Sequence, residues 1–208
     1  MQAAKKKKEE QAGYPEIPSF LIYEVLDGKP VYYKGYKEVL ARTKTLEEIM
    51  GSSVLQSVII DYLLRVCYAI FDVSVFRILT NELGSHLSNK NNLSNDIAIF
   101  EKSLLTPEKI TTKYANVPAK IVIEVDLDGE LGHEESFTEH EYIHTKAQKM
   151  LDFGVEKVFW ITSKTQKVLV ATPEKNWEII DWNKDIELFQ GQTFNIGHYL
   201  KEEGIGLE

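Results

Sequence analysis

Covalent bracing is almost absent from this chain. Its 208 residues include one cysteine, Cys67, so no internal disulfide can form. Flanked by Val66 and Tyr68 in a helical pattern, that thiol is expected to be buried and structural, in a reducing cytoplasm. No apolar run approaches the roughly 18 residues that suggest a membrane span. The apolar stretch after Ser57 lies far from the N-terminus and carries Asp61 and Arg65, so no signal peptide is expected. Basic charge is also short, with 24 Lys and Arg against 32 Asp and Glu and a net charge of −8. That balance argues against a surface attracting phosphate backbones as a whole, and leaves room only for a local basic groove.

What is present suffices for a core. Hydrophobic residues make up 43% and aromatics 11%, as for one domain over residues 14–208. Residues 1–13 hold the run K-K-K-K-E-E and little that is apolar, and are expected to be a solvated tail. A nuclear-import or nucleic-acid role for Lys5–Lys8 is the alternative. Phe20–Leu26 and Val31–Lys34 around Asp27-Gly28 read as a β-hairpin. From Leu46 to Val66 apolar residues recur at three and four, predicting a helix of about 20–25 residues. Val73–Leu79 reads as a strand, and Asn81–Asn95, rich in Asn, Ser and Gly, as a loop. Asp96–Phe100 and Lys120–Val125 read as strands, the second apolar enough to be central. A helix is predicted from Thr138 to Phe153, closed by Gly154. Strands at Val158–Thr162, Val168–Ala171 and Trp177–Ile180 follow. The order predicts an α/β (α+β) domain with a central mixed sheet flanked by helices.

The helix at 138–153 contains H-E-x-x-H, formed by His140, Glu141 and His144. In zinc peptidases this pattern gives two metal ligands one turn apart and a glutamate that polarises water. It also contains Lys146, and the helical period separates the two. Tyr142, Ile143, Met150 and Phe153 fall within about 60° of Lys146, while His140 and His144 lie at about 120° and 160°. The buried stripe is therefore centred on the lysine. A buried lysine requires a charged partner or a function, unless it snorkels to the surface. Zinc would further need a third ligand, for which Glu156 and Glu178 are the candidates, and a charged residue, Glu139, precedes the motif.

Two carboxylates stand out against the same apolar pattern. Asp96 opens a strand, and Glu124 interrupts I-V-I-E-V. On neighbouring strands they could hold one Mg²⁺ or Mn²⁺ through hard oxygen ligands. With Lys146 to steady developing charge, they form a coherent set for phosphodiester hydrolysis. The plain alternative is an ion-paired cluster that only stabilises the sheet.

From about Tyr23 to Trp182 the chain resembles the Uma2-like (DUF820) endonuclease family, a branch of the PD-(D/E)XK restriction-endonuclease-like superfamily. Y-E-V-L-D-G-K matches its opening hairpin, Gly51–Leu64 its long helix, N-D-I-A-I-F its P-D strand and I-V-I-E-V its E-V strand. K-A-Q-K-M-L-D-F-G-V-E-K-V-F-W matches its helix-to-strand segment. The resemblance implies a restriction-endonuclease-like core and DNA as partner and substrate, with no membrane and a homodimer to be considered. It implies metal ligation by Asp96, Glu124 and Val125, with Glu24 and Lys146 completing the catalytic set. Asp126 stands where the superfamily usually has its strand lysine, so the helical Lys146 replaces it. Asn95, Ser53 and Met150 replace the family's proline, histidine and tyrosine, and E-V-D-L-D replaces its E-V-x-S-P. A catalytically silent binding or assembly module on the same fold, and the zinc peptidase, remain the other functional readings.

Overall fold

The computed structural model describes residues 17–126, 129–131 and 138–206. The expected tail over 1–13 lies outside them, as does most of the connection after Asp126. Strands β1 (Ile22–Leu26) and β2 (Lys29–Tyr33) form the expected hairpin. Asp27 and Gly28 both have positive φ, 51° and 75°, as a two-residue type I′ turn requires.

After a short helix α1 (Tyr36–Leu40), the long helix is shorter than predicted. Helix α2 (Val54–Ile70) has 17 residues. Its start is fixed by Ser53, whose hydroxyl accepts the Gln56 N–H at 3.1 Å. The apolar period from Leu46 to Met50 falls in turns before that cap.

The predicted loop over Asn81–Asn95 is also corrected. Strand β3 (Phe76–Ser88) runs through most of it and pairs with β4 (Asn91–Glu101) from Phe76–Glu101 to Ser88–Asn91. The polar residues that suggested a loop bond across the two strands: Asn95 Nδ2 donates to Ser85 Oγ at 2.7 Å, and His86 meets Asn92 at 2.6 Å. Asp96 therefore lies inside a strand rather than at its start. Opposite it, β3 bulges at Asn81 and Glu82, both with positive φ.

Strands β5 (Ile121–Val125) and β6 (Gly129–Leu131) precede helix α3 (Glu139–Phe153). Thr138 and Glu141 form a reciprocal capping box at its start, and Gly154 ends it at φ 114°. Strands β7 (Lys157–Thr162), β8 (Lys167–Ala171) and β9 (Glu178–Asp181) complete a nine-stranded sheet. A small hairpin, β10 (Ile186–Phe189) and β11 (Gln192–Phe194), and helix α4 (Ile196–Glu202) follow, none of them predicted.

The sheet order is β6-β2-β1-β4-β5-β7-β8-β9, with β3 on β4. Among the described strands only β5 and β7 pair in parallel, joined through α3. The sheet is thus mixed and the domain α+β, as expected. Each face covers one core. Ile59, Leu63, Ile97, Ile123 and Leu200 pack on the α2–α4 side, and Ala98, Val122, Tyr142, Met150 and Trp160 on the α3 side.

One irregularity positions the site. The β4–β5 ladder ends at Ile97–Ile123, although the same register would next oppose Asp96 and Glu124. Further along the same edge, β4 pairs instead with β1, at Asn92–Val25. Strand β3 backs β4 along its other edge. The result is a fork in the sheet, bounded by β1, β4 and β5 and roofed by α3.

Candidate active site

Strand alternation sends Ile121, Ile123 and Val125 to one face and Val122 and Glu124 to the other, toward α3. On α3 the buried residues are Tyr142, Lys146, Ala147, Met150 and Leu151, so the lysine does sit mid-stripe. It does not snorkel, being only 1% exposed. Its Nζ lies 3.0 Å from Glu24 Oε2 and 3.3 Å from Glu124 Oε1, and donates to the Ser94 carbonyl at 2.8 Å. The Trp160 and Tyr142 rings flank the ammonium at 5.4 and 5.8 Å.

Asp96 occupies the fork itself. Its Oδ2 accepts the Val125 N–H at 2.7 Å, a donor left over where the ladder ends. Glu24 is held by the Ser94 N–H at 3.0 Å and by the Tyr142 hydroxyl. All four predicted catalytic residues are buried, and Asp96, Glu124, Val125 and Lys146 line one small cavity. Its volume of about 10 Å³ admits about one water or ion.

Burial and the neighbouring Asp96 and Glu24 carboxylates raise the Glu124 pKa well above the usual carboxyl range, against the opposing pull of Lys146. Among the described residues Glu124 Oε1 has no hydrogen-bond partner; its 3.3 Å contact with Lys146 is an ion pair without hydrogen-bond geometry. Burial opposes the Lys146 charge, but Glu124 and Glu24 outweigh it and lift the pKa to about 12. The lysine is therefore a fixed cation, not a base.

Three carboxyl groups face one ammonium in this space, leaving negative charge that a divalent cation would neutralise. The donors are all oxygen, as Mg²⁺ and Mn²⁺ prefer. Val125 can contribute only its carbonyl, which accepts from Gln56 Nε2 at 2.9 Å and keeps a second lone pair. Among the described residues no group of three or more His, Cys, Asp or Glu is arranged around a metal position. The fitting set is two carboxylates and a carbonyl.

The H-E-x-x-H residues lie elsewhere. Glu141 serves the capping box, accepting from the Thr138 N–H at 2.8 Å. The His140 and His144 rings meet at 4.3 Å, and His144 stacks on Trp177 at 5.1 Å. Of the proposed third zinc ligands, Glu156 is paired with Lys120 at 2.9 Å and Glu178 is exposed on β9.

Three site residues escaped the sequence reading. Tyr23 is the bulged residue of β1, between Ile22–Tyr32 and Glu24–Val31, and lines the cavity. The helical period puts Tyr142 on the buried face but identifies it only as packing. Gln56 had a visible signal: it is the one polar member of a stripe continued by Ile59, Leu63 and Cys67.

Comparison with proteins of known structure places this architecture among nuclease-like folds. A putative nuclease belonging to DUF820 from Anabaena variabilis superposes on it with a TM-score of 0.61. The match covers 86% of this chain and 89% of that one at 15% sequence identity, so the likeness is one of fold. It belongs to the same group that the sequence motifs resemble. No protein-family profile matches the chain, and no curated protein is similar to it. No helix among the described residues is long and apolar enough to cross a membrane.

Proposed function

We propose that this protein is a Mg²⁺- or Mn²⁺-dependent endonuclease that hydrolyses DNA phosphodiester bonds. One observation carries the reading: Asp96, Glu124 and the Lys146 ammonium converge on one buried cavity where the sheet forks. Asp96, Glu124 and the Val125 carbonyl would hold the cation. When bound, the metal supplies Lewis-acid polarisation of the phosphate and a bound water of lowered pKa. Lys146, fixed by Glu24 and Ser94, offers a preorganised positive charge to the oxygens that gain charge as phosphorus is attacked. Glu24 and Tyr142 set the direction of that charge and do not meet the phosphate. Tyr23, whose pKa is raised by burial and by the carboxylates around it, stays protonated as a hydrogen-bond donor at the cavity wall.

The test is cleavage of plasmid, linear duplex and single-stranded DNA with Mg²⁺, with Mn²⁺ and with chelator. Metal-dependent cleavage lost in Glu124→Gln and Lys146→Met is the expected result. Cleavage that survives both substitutions, or no cleavage of any substrate by the wild type, defeats the reading. The second reading, a silent binding module, draws on the Gln56 amide already placed at the Val125 carbonyl.

A further inference from the structure

Two clefts adjoin the buried cavity. One, of about 1000 Å³, shares Asp126 with it and carries Lys34, Lys44 and Lys164. The other, of about 510 Å³, shares Tyr23 with it. Tyr33 and Glu82 line both clefts, so the two lie side by side. Their chemistry differs. Among its described lining residues the second cleft has no lysine or arginine and has three tyrosines: Tyr23, Tyr33 and Tyr114.

These rings are presented by backbone rather than by side-chain packing alone. Tyr23 projects from the β1 bulge and meets Tyr33 edge to face at 5.4 Å. Tyr114 is 58% exposed, yet its segment is tied to the outer edge of β3. The Ala115 N–H donates to the Gly84 carbonyl at 2.9 Å, and the Ala115 carbonyl accepts from the His86 N–H at 2.8 Å. Its ring lies on Gly84 so closely that a Cβ there would come within 2.5 Å of a ring carbon. A rigid, exposed aromatic surface of this kind loses little freedom when a flat ligand stacks on it.

We infer that one unpaired nucleic-acid strand lies across the two clefts, with bases against Tyr33 and Tyr114 and phosphates toward the lysines. The inference rests on the phosphodiesterase reading above and narrows its substrate to single strands or unpaired ends. Stacking on aromatic side chains is open to any exposed base, whereas paired bases in a duplex are unavailable to such a cleft. Duplex binding would rely on cations along both backbones. Among its described lining residues the lysine-bearing cleft holds five carboxylates, Glu38, Glu48, Glu82, Asp126 and Glu139, against three lysines. The charge balance therefore favours a strand that gains from stacking.

Binding separates this inference from hydrolysis. Fluorescence anisotropy in chelator would compare a labelled single-stranded oligodeoxynucleotide with its duplex. The wild type should bind the single strand roughly tenfold more tightly or better, the scale of one stacked base. Tyr114→Ala should weaken that binding about tenfold, Tyr114→Phe should preserve it, and neither should change duplex binding. Gly84→Ala, which displaces the ring without removing it, should reproduce the Tyr114→Ala loss. Duplex binding as tight as single-strand binding, no single-strand binding, or no effect of Tyr114→Ala overturns the inference. Single-strand binding without cleavage of any DNA in Mn²⁺ sinks the hydrolytic reading and leaves this one standing. Equal cleavage of single strand and duplex does the reverse.

Discussion

Replacing Lys146 with methionine keeps the side-chain volume in the α3 stripe and deletes the only cation among the described residues of the cluster. The loss can be scaled from its surroundings. Raising the lysine pKa from 10.5 to about 12 means that the folded site favours ammonium over amine by about 2 kcal/mol more than water does. That is a net figure, after the burial that opposes the charge. Removing one member of a buried ion pair costs about 3–5 kcal/mol, because the partner is left buried and uncompensated. Here Glu24 is left so, Glu124 loses the cation that opposes its protonation, and the Ser94 carbonyl loses its donor. A loss of about 3–5 kcal/mol is survivable by a domain of ordinary stability. Urea unfolding in chelator, followed by circular dichroism, measures it directly. Glu24→Gln in the same background should recover part of the loss, since it removes one stranded charge. Cleavage of DNA in Mn²⁺ should fall by orders of magnitude while the fold persists. A Lys146→Met protein within about 1 kcal/mol of wild type would refute the buried ammonium, and unchanged cleavage would refute its catalytic role.

The double change His140→Ala with His144→Ala should leave metal-dependent cleavage intact, and a selective loss of activity there would return the helix to zinc. Thr138→Ala, which removes the cap shared with Glu141, should cost about 1 kcal/mol by urea unfolding without changing cleavage. Gly154→Ala must accept φ 114° and a 3.2 Å approach to Pro118, so a loss of about 1–2 kcal/mol is expected in the same assay. Glu124 has a folded pKa raised above its unfolded value. Its contribution to stability is thus present below the ordinary carboxyl range and is lost as pH rises through the raised value. Metal-free protein should become easier to unfold across that interval, Mn²⁺ should offset the trend by displacing the proton, and Glu124→Gln should abolish it.

The site was more legible than much of the fold around it, and the reason is contrast. A carboxylate inside I-V-I-E-V and a lysine centred on an apolar helical stripe are costly anomalies in a local pattern, so each announces itself without knowledge of its partners. Gln56 carried the same kind of signal on α2. The β3–β4 extension did not, because Asn95–Ser85 and His86–Asn92 satisfy their polar groups across strands. The start of α2 was set by the Ser53 cap, which overrode an apolar period that continued upstream. The β10–β11 hairpin and α4 are short and carry little periodicity, and their burial against α2 is purely tertiary. The Tyr23 bulge depends on the register of its partner strand, which one strand's sequence does not contain.

The hydrogen bond between the Val125 amide and Asp96 makes that amide a reporter. Other amides of β5 answer to neighbouring strands, but this one answers to a side chain whose charge and ligation define the state of the site. Engagement of its carboxylate by a cation weakens the acceptor and must register in the Val125 amide resonance and exchange rate. Because β3 braces β4 from behind, that signal arises without opening of the sheet. A single backbone position thus provides a spectroscopic titration of the candidate active site, independent of turnover.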